Sequence, residues 1–418
     1  MDKKISKQLH RAKQASGDFG LLSHSQRILI LKYLVKGLHK NRNKIIRANT
    51  RDLKNLHIND PMRDRLLLDD ARIEGMVKEI KNIIKMPDPI GEVFNCRNVS
   101  GIKTCRVRVP IGVVGIIYES RPNVTTDVAA ICIKSGNVAV LKGGKEARAS
   151  CFALHKIIKD ALVSAGANPD AVSFIDPKVK NAAQSVITAL GLVDVVVPRG
   201  SQGLINYVRE NAMVPFIETG AGVCHTFVDQ SAKLNKSANV IFNAKTQRPS
   251  VCNSLDTLLV HKDIADKFLP VVSKLLSKKE VEIFADPGSF KILKNIYPAD
   301  FLKKATGADF GREFLSQKMS VKVVAGIGEA LKHIGKHSSK HSEAILSEDK
   351  ENCRRFLAAV DAAVVYVNAS TRFSDGAMFG LGSEIGISTS KLHARGPIGP
   401  REMTTYKWIA TGKYSVRK

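Results

Sequence analysis

Between Val113 and Ile217 short runs of apolar, mostly β-branched residues recur: Val113 to Ile117, Val138 to Leu141, Val172 to Ile175, Val193 to Val197 and Val214 to Ile217. Helical spacing fills the stretches between the later runs. Phe152, Leu154, Ile157, Ile158, Ala161 and Leu162 line one side of a helix that Gly166 stops, and further helices are expected near Val179 to Leu190 and Leu204 to Glu210. Strands this short and this apolar are buried on both faces. Separated by helices, they predict a doubly wound parallel sheet. Such sheets place ligands beyond the carboxyl ends of their strands.

The flanking segments extend this plan. An amphipathic helix carries Leu31, Leu34, Val35 and Leu38, with Ser23 and Gln26 spaced as a capping box. A second helical stretch carries Ile45, Ile46 and Leu53, and the alternating segment from Asn95 to Val109, with Gly101 near its centre, reads as an exposed hairpin. A second set of strands is expected at Thr257 to Val260, Val321 to Ala325 and Ala363 to Val367. Helices are expected at Ile264 to Leu276, Glu329 to Ile334 and Lys350 to Ala359. A chain of 418 residues exceeds one ordinary core. The expected division is 1–225 with a hairpin arm at 95–109, a second α/β domain at 226–367, and a Gly- and Pro-rich tail at 368–418 that closes on a strand.

Charge and cysteine usage narrow the function classes. Lys and Arg number 65 against 39 Asp and Glu, a net of +26. The basic residues are spread out, and no aromatic–basic interleaving suits single-stranded nucleic acid, with one Trp and seven Tyr in the chain. A solvated basic surface is the plainer reading, and a basic nucleic-acid-binding scaffold is kept as the rival. No apolar run approaches the roughly 20 residues of a membrane span, and no apolar stretch follows the N-terminal lysines, so no secretory signal is expected. The seven cysteines form no C-x-x-C pair. That argues against a disulfide framework or a zinc site and for a cytoplasmic protein. His333, His337 and His341 recur every four residues, but Gly335 and Ser338-Ser339 interrupt the face and no further ligand stands at metal spacing, so no metal is expected.

Candidate chemistry gathers in loops. The dinucleotide fingerprint G-x-G-x-x-G is absent. Gly200-Ser201-Gln202-Gly203 is a shorter turn whose N–H groups suit a pyrophosphate, or simply a turn. Cys252 lies in a polar, proline-broken loop with Lys245 and Arg248 upstream. Such surroundings favour a thiolate, with an ordinary loop cysteine as the alternative and Cys224 as the runner-up nucleophile. Glu218, directly after a strand, is either an acid/base group or a loop carboxylate. Lys142, after Leu141, suits ribose or phosphate oxygens.

Taken in order, several stretches carry a resemblance that none carries alone. They are Val109 to Thr125 (including Tyr118-Glu119-Ser120-Arg121-Pro122-Asn123), Leu141-Lys142-Gly143-Gly144-Lys145-Glu146-Ala147, Val197-Pro198-Arg199-Gly200, Glu218-Thr219-Gly220-Ala221-Gly222, the Cys252 loop, Asn368 to Phe373, Phe379 to Thr389, and His393 to Lys407. The chain resembles the γ-glutamyl phosphate reductases, a reductive branch of the aldehyde dehydrogenase superfamily, over essentially its whole length.

The resemblance implies an aldehyde dehydrogenase-like α/β fold: a doubly wound cofactor domain that binds NADP(H) without the usual fingerprint, an α/β catalytic domain and a small oligomerisation hairpin. It implies Cys252 as nucleophile, Glu218 beside the nicotinamide, Lys142 at the adenosine ribose, Gly200 and Ser201 near the pyrophosphate, and Glu313 at the nicotinamide ribose. Asn123 stands in for an absent tryptophan–asparagine oxyanion motif. Asp256 replaces a more usual glutamate, and Leu315 to Met319 is more polar than the family's usual run. The implied reaction is NADPH-dependent reduction of L-glutamyl 5-phosphate to L-glutamate 5-semialdehyde with release of phosphate, through a cysteine thioester, in proline biosynthesis. Arg121, Lys245, Arg248 and Arg372 are the candidate substrate contacts. A homodimer or homotetramer is implied, with glutamate 5-kinase as a separate protein and no nucleic-acid or membrane partner. A related reductase acting on an acyl-CoA or a free semialdehyde is the neighbouring alternative.

Overall fold

The structure, a computed structural model, describes residues 2–57, 60 and 62–417. The chain forms two compact units. One comprises the residues up to Thr219 with Gly380–Gly386 and the chain from Leu392 onward; the other comprises Gly220–Phe379 with Ile387–Lys391.

In the first unit, β1 (Val93–Val99) and β2 (Ile102–Pro110) pair antiparallel, and the C-terminal strand Thr404–Thr411 lies on the other side of β2. Ser100 and Gly101 turn the hairpin with φ of 52° and 76°, the left-handed pair that matches strand twist. The register corrects the sequence reading of the cysteines. It shifts between Phe94 and Arg97, which brings Cys96 beside Cys105, and a disulfide joins them with Cα atoms 4.1 Å apart. Sequence spacing does not reveal a cross-strand partner nine residues away; only the hairpin register does.

The parallel sheet of this unit is built from β3 (Val113–Tyr118), β4 (Val138–Lys142), β5 (Val172–Phe174) and β6 (Val195–Arg199), in the order β5-β4-β3-β6. Every residue of β3 is buried. A Cβ on Gly115 would stand 2.7 Å from Val186 Cγ1, so glycine is what lets the helix Ala182–Ile187 approach the strand. The run Val214 to Ile217 forms only an isolated bridge, Val196 to Phe216, because Pro215 has no N–H to extend a ladder. Periodicity missed the crossover helix Val124–Lys134 because all its residues are buried and its pattern is nearly apolar all round. Helix His24–Lys40 starts on the Ser23/Gln26 capping box that the spacing predicts. Asp52, at the end of helix Arg42–Leu53, accepts the N–H groups of Ala149 (3.0 Å) and Ser150 (2.8 Å), so one helix caps the start of another distant in sequence, Arg148–Ser164.

The second unit is a seven-stranded parallel sheet of β7 (Cys224–Val228), β8 (Leu255–His261), β9 (Glu282–Ala285), β10 (Leu302–Lys304), β11 (Lys318–Val324), β12 (Ser342–Leu346) and β13 (Val364–Val367), in the order β10-β9-β11-β8-β7-β12-β13. Side-chain alternation along β8 divides the core. Leu258 and Val260 join Phe268, Leu269 and Val272 on one face, whereas Leu259 joins Phe227, Ile334 and Phe356 on the other.

Candidate active site

In the first unit the chain leaves β3 for β4 on one side, and β6 lies on the other side. The carboxyl ends of β3 and β6 therefore form a topological switch point. Ser201 caps helix Gln202–Asn211 directly after β6. Its N–H donates to Glu119 Oε2 at 2.7 Å and its hydroxyl to Oε1 at 3.2 Å, so a carboxylate from the end of β3 already sits on this helix start. Lys142 ends β4 half-buried. Burial lowers its pKa, and Glu146 and Glu119 oppose that shift. An anion-accepting helix start and a partly desolvated ammonium fit the phosphates and ribose of a dinucleotide.

Other first-unit candidates are committed locally. Glu218 is ion-paired with Arg209, and Asn123 Nδ2 donates to Asp127 Oδ2 at 2.8 Å in the first turn of its own helix. Arg121 is half-buried in the turn before that helix, where its carbonyl accepts from Val124 N–H.

In the second unit the site residues meet at the amino ends of β7 and β8, not at carboxyl ends. Helix Leu234–Thr246 gives way at Gln247 because Pro249 follows. Cys252 is half-buried in the resulting turn. Arg372 Nε donates to Gln247 Oε1 at 2.8 Å, and its Nη1 donates to Asn253 Oδ1, so residues on either side of Cys252 orient this guanidinium. Both hydrogen-bond acceptors are neutral amides, so the contacts that aim the guanidinium do not themselves cancel its charge. Burial and then Arg248 lower the Arg372 pKa, while Asp375, Cys252 and Cys224 raise it. The Arg372 guanidinium thus sits close enough to the Cys252 thiol, and to the Arg248 guanidinium, for their charges to interact.

Lys245 corrects an expectation. It is fully buried, its Nζ donates to Leu255 O at 2.8 Å and lies 3.8 Å from Asp256 Oδ1. A side chain so placed touches no substrate. Cys224 is also buried, with its Sγ donating to Cys252 O at 3.2 Å, and burial raises its pKa well above the ordinary thiol value. It supports the loop from beneath and is a poor nucleophile. Glu313 accepts Gly222 N–H at 2.8 Å. His333 and His337 share a helix with ring centroids 4.6 Å apart, and His341 stands before β12. Among the described residues no group of three or more His, Cys, Asp or Glu side chains is arranged to hold a metal.

Sequence reasoning missed Gln247, Asn253 and Gly222, and it noted Asp256 only as a departure. Asp256 did carry a signal, since a carboxylate inside an otherwise apolar strand requires a buried partner. The other three lay within stretches that carry the resemblance but gave no individual signal.

The fold and the two clusters define a class: two-unit α/β proteins of the dehydrogenase type, with parallel sheets, an anion-accepting switch point on one unit and a loop thiol on the other. The family model described as "Aldehyde dehydrogenase family" matches residues 1–289. A γ-glutamyl phosphate reductase from Pelodictyon phaeoclathratiforme is 48% identical over 419 residues, covering 100% of both chains. One from Legionella pneumophila is 46% identical over 418 residues, again covering 100% of each. The crystal structure of γ-glutamyl phosphate reductase from Thermotoga maritima superposes with a TM-score of 0.95 at 41% identity, covering 100% of both chains. The chain belongs to the aldehyde dehydrogenase family, among its γ-glutamyl phosphate reductases. The expected aldehyde dehydrogenase-like α/β fold is met. Among the described residues no helix is long and apolar enough to cross a membrane.

Proposed function

We propose that the protein reduces L-glutamyl 5-phosphate to L-glutamate 5-semialdehyde with NADPH, releasing phosphate, as a step of proline biosynthesis. One observation carries the reading: a half-buried loop thiol, Cys252, flanked by an oriented guanidinium, Arg372, with Arg248 near it. Positive charge beside a thiol favours thiolate, and a pair of neighbouring arginines suits a phosphate or carboxylate. The relatives that share the whole chain's length carry the name of this reaction.

In this reading the Cys252 thiolate attacks the γ-acyl carbon, the carbon–oxygen bond to phosphate breaks, and a thioester forms on Cys252. Arg372 and Arg248 hold the phosphate as its charge grows on departure. NADPH, when bound, supplies the hydride that takes the acyl group to the aldehyde level. Cys252 then leaves as thiolate, ready for another acyl group. Lys142, Gly200 and Ser201 hold the ribose and pyrophosphate. Glu218 and Glu313 serve the nicotinamide end, and Asn123 and Arg121 the substrate end. An acyl phosphate is already activated, so no base is needed to generate a nucleophilic water.

The test runs the reaction in reverse, with glutamate semialdehyde, phosphate and NADP. Reduction of NADP that requires phosphate is expected. Reduction that instead requires coenzyme A, or that proceeds with neither, would overturn the reading.

A further inference from the structure

Asp256 lies inside β8, is 1% exposed, and serves three donors from three segments. Its Oδ1 accepts the N–H of Phe314 at 3.0 Å and faces Lys245 Nζ at 3.8 Å; its Oδ2 accepts the N–H of Cys224 at 3.4 Å. Glu313, the residue before Phe314, repeats the arrangement by accepting the N–H of Gly222 at 2.8 Å. Two carboxylates therefore clip the segment 222–224 to the segment 313–314. The clipped segment touches the nucleophile's loop at two points. A Cβ on Gly222 would overlap the Cys252 carbonyl, and Cys224 Sγ donates to that same carbonyl at 3.2 Å.

We infer that Asp256 is a positioning residue: by fixing Cys224 and Phe314 on one carboxylate it sets the height of the Cys252 loop and ties Glu313 to it. The inference rests on Cys252 being the nucleophile. Lys245 completes the device. A carboxylate this buried needs a cationic partner, and the ammonium is itself anchored on Leu255 O. An apolar pair would fill the space as well but would accept neither N–H, and a buried amide without an acceptor is costly. Asn is no substitute, because its amide presents one acceptor and one donor to two N–H groups.

The test separates charge balance from positioning. Asp256→Asn alone strands the Lys245 ammonium, so the informative protein is Asp256→Asn with Lys245→Met, which removes both charges. Its melting temperature is expected to stay within a few degrees of the parent. The rate of Cys252 alkylation by iodoacetamide, measured with Cys132, Cys151 and Cys353 replaced by alanine or serine and the buried Cys224 kept, is expected to change at least about tenfold. The kcat of semialdehyde oxidation is expected to fall more than the KM for phosphate rises. Recovery of parental alkylation and kcat in the double variant would reduce Asp256 to a counter-ion for Lys245 and overturn the inference. If the double variant fails to fold, amide hydrogen exchange in the unaltered protein decides. Slow exchange at both Cys224 and Phe314 supports the clip, and fast exchange at either overturns it. Alkylation and exchange do not depend on which acyl substrate is used, so an inactive parent protein would count against the proposed reaction and leave the clip separately measurable.

Discussion

The backbone of Gly222 packs so closely on Cys252 that any β-carbon at position 222 would fall within the carbonyl group of Cys252. The glycine is required by contact and not by an unusual backbone angle. Gly222→Ala is therefore expected to push the Cys252 loop away from its place and lower kcat by about 100-fold, the scale of a displacement near 1 Å. A variant with unaltered kcat would show that the loop has no fixed position to lose.

Cys252→Ala should abolish acyl transfer while NADPH binding, measured by fluorescence titration, persists. Cys224→Ala should keep measurable turnover, because that thiol is buried beneath the loop and burial holds it protonated. Turnover that survives in the first variant and vanishes in the second would exchange the two roles.

Arg372 is oriented by Gln247 and Asn253, and its charge remains available to an anion. Removing a hydrogen bond to a charged group costs about 1.5–3 kcal/mol, so Arg372→Ala should raise the KM for phosphate by roughly 10- to 100-fold in the oxidative direction. Lysine at this position should restore little, since it cannot reach two acceptors in a fixed plane. A KM for phosphate unchanged by the alanine variant would move the phosphate elsewhere.

At the nucleotide end the two charges act in opposite senses. Lys142→Ala should raise the KM for NADPH more than it lowers kcat. Glu119→Gln should lower that KM, because the native carboxylate occupies the helix start at Ser201 with a full negative charge. Equal KM values in both variants and the parent would place the cofactor away from this switch point.

His333 predicts acid sensitivity. Burial, followed by the neighbouring imidazoles of His225 and His337, lowers its pKa from the ordinary 6.5 to about 3. Between those values the unfolded chain binds a proton that the folded chain refuses. The stability is thus fully present above pH 6.5 and is lost as pH falls through that window, by at most about 1.4 kcal/mol per pH unit. His333→Phe, whose ring can keep the contact with Phe310, should flatten the dependence of the melting temperature on pH between 4 and 6.5. An unchanged slope would exclude this histidine as the source.

The sequence alone determined the parallel strands between Val113 and Arg199, because a strand buried on both faces must be apolar throughout; the fully buried helix Val124–Lys134 between the first two it did not show. It also put Cys252 forward as a nucleophile candidate ahead of Cys224, because a polar, proline-broken loop with basic residues upstream favours a thiolate. Tertiary structure decided everything that depends on which segments meet. Lys245 and Arg248, three residues apart, look alike in sequence. One is buried against Asp256 and the other is exposed, because Lys245 lies on the inward face of a helix that ends before Arg248. The Cys96–Cys105 pairing, Glu119 on the Ser201 helix start and the Asp256 clip each join residues whose proximity is set by strand register or sheet order. Local composition encodes how a segment folds; it does not encode its neighbour across a sheet.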